Sequence, residues 1–223
     1  MNLSKDTLSL IRNFSGINGS LLLQPGSKLA TISEGRNIMG EATIVEEFVK
    51  TFGIYDLGEF LNAISIFNDP ELNFSDQYVI ISDGNSKIKY FAAGEGIVKA
   101  PPPTIKFPTP EIEFTLDSHQ LSMIIKTASV LKTTDVSFVG DKISGELTAL
   151  VTDKKNSTSN AYDVVIGESN LDFLANFKLD ALKLLLPGTY SVAISSKKIS
   201  RFINTNVPLT YFVAIEADSS FNE

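Results

Sequence analysis

The run Ala100-Pro101-Pro102-Pro103-Thr104-Ile105-Lys106-Phe107-Pro108-Thr109-Pro110 holds five of the chain's nine prolines. Proline has no backbone N–H and a fixed φ, so this stretch cannot supply a regular hydrogen-bond ladder and favours an extended connector. Taken as residues 101–110, it separates a segment 1–100 from a segment 111–223. Each is long enough to close its own core.

Outward from the connector, both segments read as α+β. Residues 20–32, 77–82, 86–92, 136–139, 143–152, 190–195 and 210–216 are rich in β-branched and aromatic side chains and are bounded by Gly, Asp and Asn. Asp83-Gly84-Asn85 and Gly140-Asp141 read as hairpin turns. Helical spacing follows four candidate N-caps, Ser4, Asp56, Asp117 and Asp180, which recur every 52 to 63 residues. The last three follow strand-like leads, Gly53-Ile54-Tyr55, Phe114-Thr115-Leu116 and Phe177-Lys178-Leu179. The layout predicts four copies of a helix followed by antiparallel strands, two copies per segment.

The helix faces differ in charge. In the first helix Leu10, Ile11, Phe14 and Ile17 form the apolar stripe, and Lys5, Ser9, Arg12 and Gly16 fall opposite. In the third, Leu121, Ile124, Ile125, Ala128 and Leu131 line one side; His119, Ser122, Lys126 and Ser129 line the other. No acid lies between Asp117 and Asp135, whereas Lys126 and Lys132 do. The second helix buries Leu57, Phe60, Leu61, Ile64 and Phe67 and turns Glu59 and Asn62 outward, and the short fourth carries Lys183. Solvated surface is the ordinary explanation of such faces. Their repetition at the leading helix of each segment, in a chain of net charge −7, points instead to phosphate contact by local placement. Bulk charge excludes a protein that holds nucleic acid by overall attraction.

Catalytic chemistry finds little purchase. There is no cysteine and a single histidine, His119, so thiolate catalysis, disulfides, Cys-ligated metals and multi-histidine metal sites are excluded. Gly94-Glu95-Gly96 lacks the third glycine and following helix of a dinucleotide fingerprint, and no glycine is followed by lysine as a phosphate loop requires. No metal, no cofactor and no membrane span is expected, and a non-catalytic binding protein is the default. A β-rich viral structural or assembly protein is the competing reading, and a carboxylate-based hydrolase a third.

A resemblance is carried by Leu3-Ser4-Lys5-Asp6-Thr7, Asn13-Phe14 and Ile17-Asn18; by Ile54-Tyr55-Asp56-Leu57 with Phe60-Leu61, Ser65 and Asn68-Asp69; by Ile105 with Phe107-Pro108; by Pro187-Gly188 with Tyr190; and by Tyr211, Val213-Ala214 and Glu216-Ala217-Asp218-Ser219. In these stretches, in this order, the chain resembles the sliding clamps of T-even-type bacteriophages, the phage counterparts of PCNA. The resemblance implies two similar DNA-clamp domains per chain and a homotrimeric ring of six domains around double-stranded DNA, with helices inside and sheets outside. Edge strands of one segment are expected to pair with those of the other on the next copy. Lys5, Arg12, Lys126, Lys132 and Lys183 are then the expected DNA-facing residues. Ile105, Phe107 and Pro108, with Ala217, are expected to border a pocket for partner peptides; the alternative is that Phe107 staples the connector to a sheet. The implied partners are the replicative DNA polymerase, the ATP-driven clamp loader and the phage late-transcription factors, in the cytoplasm of an infected bacterial host.

Overall fold

The computed structural model describes residues 1–94, 96–98, 100–102, 105–156 and 158–221. Glu95 of the Gly94-Glu95-Gly96 run and Pro103 and Thr104 of the connector lie outside the described residues. The chain divides into two units, Met1–Ile105 and Lys106–Glu223.

The first unit runs α1 (Lys5–Ile17), β1 (Leu21–Leu23), β2 (Gly26–Ile32), β3 (Ile38–Phe48), β4 (Phe52–Ile54), α2 (Leu57–Ser65), β5 (Glu71–Phe74), β6 (Tyr78–Ser82) and β7 (Lys87–Phe91). β1 pairs antiparallel with β4, β2 with β3, and β5-β6-β7 form a meander. The α1 stripe of Leu10, Ile11, Phe14 and Ile17 is buried, joined by Thr7, because the 3.6-residue period puts these positions on one side. The start of α1 is fastened to β3. The Ser4 side chain accepts from the Thr7 N–H, while the Ser4 N–H and the Thr7 hydroxyl both donate to the Glu46 carboxylate. Burial alone would raise the Glu46 pKa, but these donors outweigh it and hold the carboxyl below its ordinary value. Further along, the Leu72 N–H donates to the Met1 carbonyl at 2.8 Å and the Leu57 N–H to the Gly19 carbonyl at 2.7 Å, so β5 and α2 close onto the flanks of α1. Asp56 caps α2 by accepting from the Glu59 N–H at 2.9 Å.

The second unit runs β8 (Ile112–Leu116), α3 (Ser118–Leu131), β9 (Asp135–Asp141), β10 (Glu146–Thr152), β11 (Ala161–Glu168), β12 (Phe173–Lys178), α4 (Leu179–Leu182), β13 (Tyr190–Ser195), β14 (Ile199–Asn204), β15 (Leu209–Ala214) and β16 (Ser220–Phe221). One antiparallel set has the order β11-β10-β9-β12-β16, and within this unit β8-β13-β14-β15 pair antiparallel in that order. Between them runs a chain of rings, buried except for the half-buried Phe114: Phe138 meets Phe114 and Phe177 at 5.3 Å each, Phe177 meets Phe202 at 6.0 Å, and Tyr190 meets Phe202 at 6.1 Å. Asp117 caps α3 in a full capping box with Gln120. Helix-then-strands thus recurs four times along the chain.

Several local expectations are corrected. Asp180 does not cap the fourth helix. β12 runs on through Lys178, the Leu179 N–H is taken by the Thr134 carbonyl at 2.9 Å, and Asp180 sits inside the first turn. Gly140 is no turn residue but a strand position paired with Leu147 and Phe173. A Cβ there would stand 2.4 Å from the Phe173 ring, so the packing of that ring requires glycine. The turn lies just beyond, where the Asp141 carboxylate accepts from the Ile143 and Ser144 N–H groups and Gly145 takes φ +75°. The expected strand at 20–32 is two strands broken before Gly26 (φ +108°). Phe67 lies past the end of α2 and is half-buried, as are Ile125 and Leu131 on α3.

The segment after β15 is bound to β9 and β12 by a polar network. The Glu216 N–H donates to the Asn176 carbonyl, the Asn176 N–H to the Ser219 hydroxyl, and the Asn176 side chain to Asp218. Lys154 bridges Asp218 at 2.7 Å and Asp135 at 3.6 Å; Lys178 bridges Asp135 at 2.8 Å and Glu216 at 3.4 Å. Burial would raise the Asp135 pKa, but Lys178, Thr134 and Lys154 outweigh it and leave the group below its ordinary 3.8. A carboxyl depressed in the folded state contributes stability above its unfolded pKa and loses it as the pH falls through the folded value. The stability difference between parent and Asp135→Asn should therefore hold above about pH 5 and shrink as pH falls below about 4. Denaturant titrations at stepped pH measure it, and a difference that stays constant down to pH 2 would sink the assignment.

Candidate nucleic-acid interface

Each unit carries some of its cations on its helices. On α1, Lys5, Ser9, Arg12 and Gly16 are all exposed or half-exposed, opposite the buried stripe. Lys5 and Arg12 are seven residues apart, roughly 10 Å along the axis at 1.5 Å per residue, which suits them to separate phosphates. They flank a groove of about 470 Å³ whose apolar floor includes Leu3, Leu8, Leu61, Ile64 and Phe67 and whose far side carries Asn68 and Asp69. Among the described residues neither cation has an ion-pair partner. The exposed Asp6 and Asp69 are the nearest acids in sequence and groove, so the positive face is local rather than broad.

On α3, His119, Ser122, Lys126 and Ser129 are exposed, and Leu121, Ile124 and Ala128 face the core. Lys132 is the C-cap, in the left-handed region at φ 56°, with its N–H shared by the Ala128 and Ser129 carbonyls. Ending the helix there carries its side chain to solvent, where continued helical phase would have buried it. Lys183 is the exposed C-cap of α4. Lys126, Lys132 and Lys183 form no ion pair among the described residues. Cations near helix C-termini are also favoured by the helix dipole, so the placement of Lys132 and Lys183 has a structural reason as well.

The residues expected to receive a peptide divide differently. Ile105 ends the first unit and is half-buried. Phe107 lies against the second unit's sheet, 6.2 Å from Phe212, with the Arg201 guanidinium carbon 4.7 Å from its ring centre. Pro108 is half-buried, and the Thr109 carbonyl accepts from the Ser195 hydroxyl at 3.2 Å. The staple reading of Phe107 therefore has direct packing behind it, and the ring keeps part of its surface open. Ala217 is exposed on the segment after β15. Arg201 escaped the sequence reading. Its only local signal is an arginine at an outward position of the alternating strand Ile199-Ser200-Arg201-Phe202-Ile203.

Among the described residues no cluster of three or more His, Asp or Glu side chains could hold a metal ion, and no helix is long and apolar enough to cross a membrane.

No family model matches the chain. Over 223 residues it is 31% identical to the sliding clamp of Vibrio phage KVP40, covering 97% of this chain and 100% of that one. It is 30% identical to the sliding clamp of Enterobacteria phage T4 and 28% identical to that of Escherichia phage RB69, with 99% of each chain covered in both cases. Among solved structures, its fold is similar to that of A. fulgidus PCNA bound to the C-terminal region of FEN-1, with a TM-score of 0.71, 14% identity and 96% of each chain covered. It is also similar to the Helicobacter pylori beta clamp bound to a DNA ligase peptide, with a TM-score of 0.67 and 16% identity, covering all of this chain and 67% of that one. Relatedness along the whole length, on a fold shared with PCNA and the beta clamps, shows that the chain belongs to the sliding-clamp family of T4-type phages.

Proposed function

We propose that three copies of the chain close head to tail into a ring around duplex DNA. The ring tethers the replicative polymerase as a non-catalytic processivity factor in the cytoplasm of the infected host. The observation that carries this is the pairing of full-length clamp relatedness with solvent-facing cations on α1 and α3 that have no ion-pair partner among the described residues, in an otherwise acidic chain. Encirclement makes attachment topological, so a few mobile phosphate contacts suffice and an acidic remainder keeps DNA off other surfaces. Lys5, Arg12, Lys126, Lys132 and Lys183 take the DNA side in this reading. Ile105, Phe107, Pro108 and Ala217 border the peptide site, and the clamp loader and late-transcription factors are further partners.

Two free sheet edges support the ring. β7 ends its meander and carries Lys87 and Lys89, with Phe91 63% exposed; β11 ends its sheet and carries Asp163 and Glu168, with Val165 50% exposed. An edge with unpaired backbone groups invites a strand, and a basic edge facing an acidic one favours the head-to-tail contact over either self-pairing. Light scattering in replication-like salt should report about three times the 24.3 kDa chain mass, and primed-template assays should show longer products only when the ring is loaded. A stable monomer at high micromolar concentration would count decisively against the ring.

A further inference from the structure

We infer that Arg201 is the carboxylate-binding residue of the peptide site, taking an acidic side chain of a partner peptide whose neighbouring aromatic or aliphatic residue seats on Phe107. The inference rests on the proposed docking role of Phe107.

Strand register puts Glu113, Ala193, Arg201 and Phe212 in one row across β8, β13, β14 and β15, and paired residues project to the same face of a sheet. The two direct neighbours of Arg201 are thus a methyl group and a ring, neither able to answer a cation with an anion. Glu113, the acid in the row, is two strands away, roughly 10 Å at the usual strand spacing. The Arg201 Nε is shut off from solvent and has no hydrogen-bond partner among the described residues, and the side chain enters no ion pair there. The guanidinium instead lies over Phe107, its carbon 4.7 Å from the ring centre.

A buried donor without an acceptor is normally selected against. In a chain with 26 acids, an intramolecular partner would be easy to supply. Arginine is also the side chain whose planar fork matches a carboxylate with two parallel hydrogen bonds. Here the fork is already oriented by the Phe107 ring, so little rotamer freedom is left to lose when an anion arrives. Beside it the half-buried Phe107, backed by the buried Phe212 ring, offers apolar surface. The site that results reads two chemistries at adjacent positions, an acid and a large apolar group.

The test uses the intact protein and a fluorescein-labelled, C-terminally amidated peptide, Gly-Leu-Phe-Asp-Phe-Leu-Gly, with its Asp-to-Asn counterpart, titrated by anisotropy. The parent should prefer the Asp peptide by about tenfold, the range of a charge-assisted hydrogen bond. Arg201→Gln should bring that preference within about twofold. Arg201→Met, which keeps the stem's packing, should do the same if the glutamine variant folds poorly. Phe107→Ser should weaken both peptides alike. Equal binding of the two peptides by the parent, or a preference that survives in Arg201→Gln, overturns the role of Arg201 and leaves the docking site standing. If an Asn peptide with a free C-terminal carboxylate binds as well as the amidated Asp peptide, the side-chain assignment is overturned in favour of a chain terminus. Binding of neither peptide removes the docking reading and this inference together.

Discussion

A variant carrying Lys5→Ala, Arg12→Ala and Lys126→Ala should assemble and bind peptide like the parent, yet load poorly and fail at long synthesis in salt concentrations the parent tolerates. Its three side chains face solvent without ion-pair partners among the described residues, so removing them costs the fold little. On DNA the effect is large, because each phosphate that a cation neutralises releases about one counterion. The log–log slope of affinity against salt should flatten by about 0.9 for every phosphate left without its cation. The weakening should be equal for all sequences, since phosphates carry no base identity. Salt-titrated loading on circular primed DNA, followed by product length, reads both effects. Parent-like loading across the whole salt range would reduce these helix faces to solvated surface.

The largest effect on stability should come from Phe138→Ala. Phe138 is fully buried in β9 and touches Phe114 and Phe177 edge-on, so it joins the rings of one strand set to those of the other. Truncating such a ring removes its transfer free energy and leaves a cavity that close-packed neighbours refill only in part, a destabilisation of about 3–5 kcal/mol. Against a whole-domain stability of about 5–15 kcal/mol, this should lower the second unit's melting temperature by about 10 °C or more. Ile143→Ala is the control: Ile143 is 96% exposed in the turn after β9, and its change should stay within about 0.5 kcal/mol. Differential scanning calorimetry compares the two, and a Phe138→Ala melt matching that of the control would refute the linking role.

Three of the four helices were legible because their causes are local. Ser4, Asp56 and Asp117 cap helices whose apolar stripes recur every three or four residues, and the outward placement of Lys5, Arg12 and Lys126 follows from the same phase. Asp180 misled because it has the chemistry of a cap, while the N–H group that opens α4 is claimed by Thr134, far away in sequence. Gly140 resembled a turn because the ring that demands glycine there, Phe173, lies on another strand. β3 and β14 went unread because buried positions fall on small or polar residues, Gly40 in one and Ser200 and Asn204 in the other, while exposed ones fall on apolar Val45 and Ile203. Arg201 acquires its meaning from Phe107, which the fold brings to it from the connector. What depends on neighbours in sequence was readable; what depends on neighbours across a sheet emerges only in the folded chain.

The fastening of α1 sets an order on synthesis. The helix leaves the ribosome before the residues that hold it: its cap is held by Glu46, and its flanks are closed by bonds from Leu57 and Leu72. An isolated helix of 13 residues is marginal in water, so α1 waits as a fluctuating segment until the chain has grown to Leu72. At about 5–20 residues per second, that takes several seconds. During this interval Leu10, Ile11, Phe14 and Ile17 are uncovered next to Lys5 and Arg12, an amphipathic basic segment on a nascent chain. Bonding of its ends to β3, α2 and β5 ends that exposure.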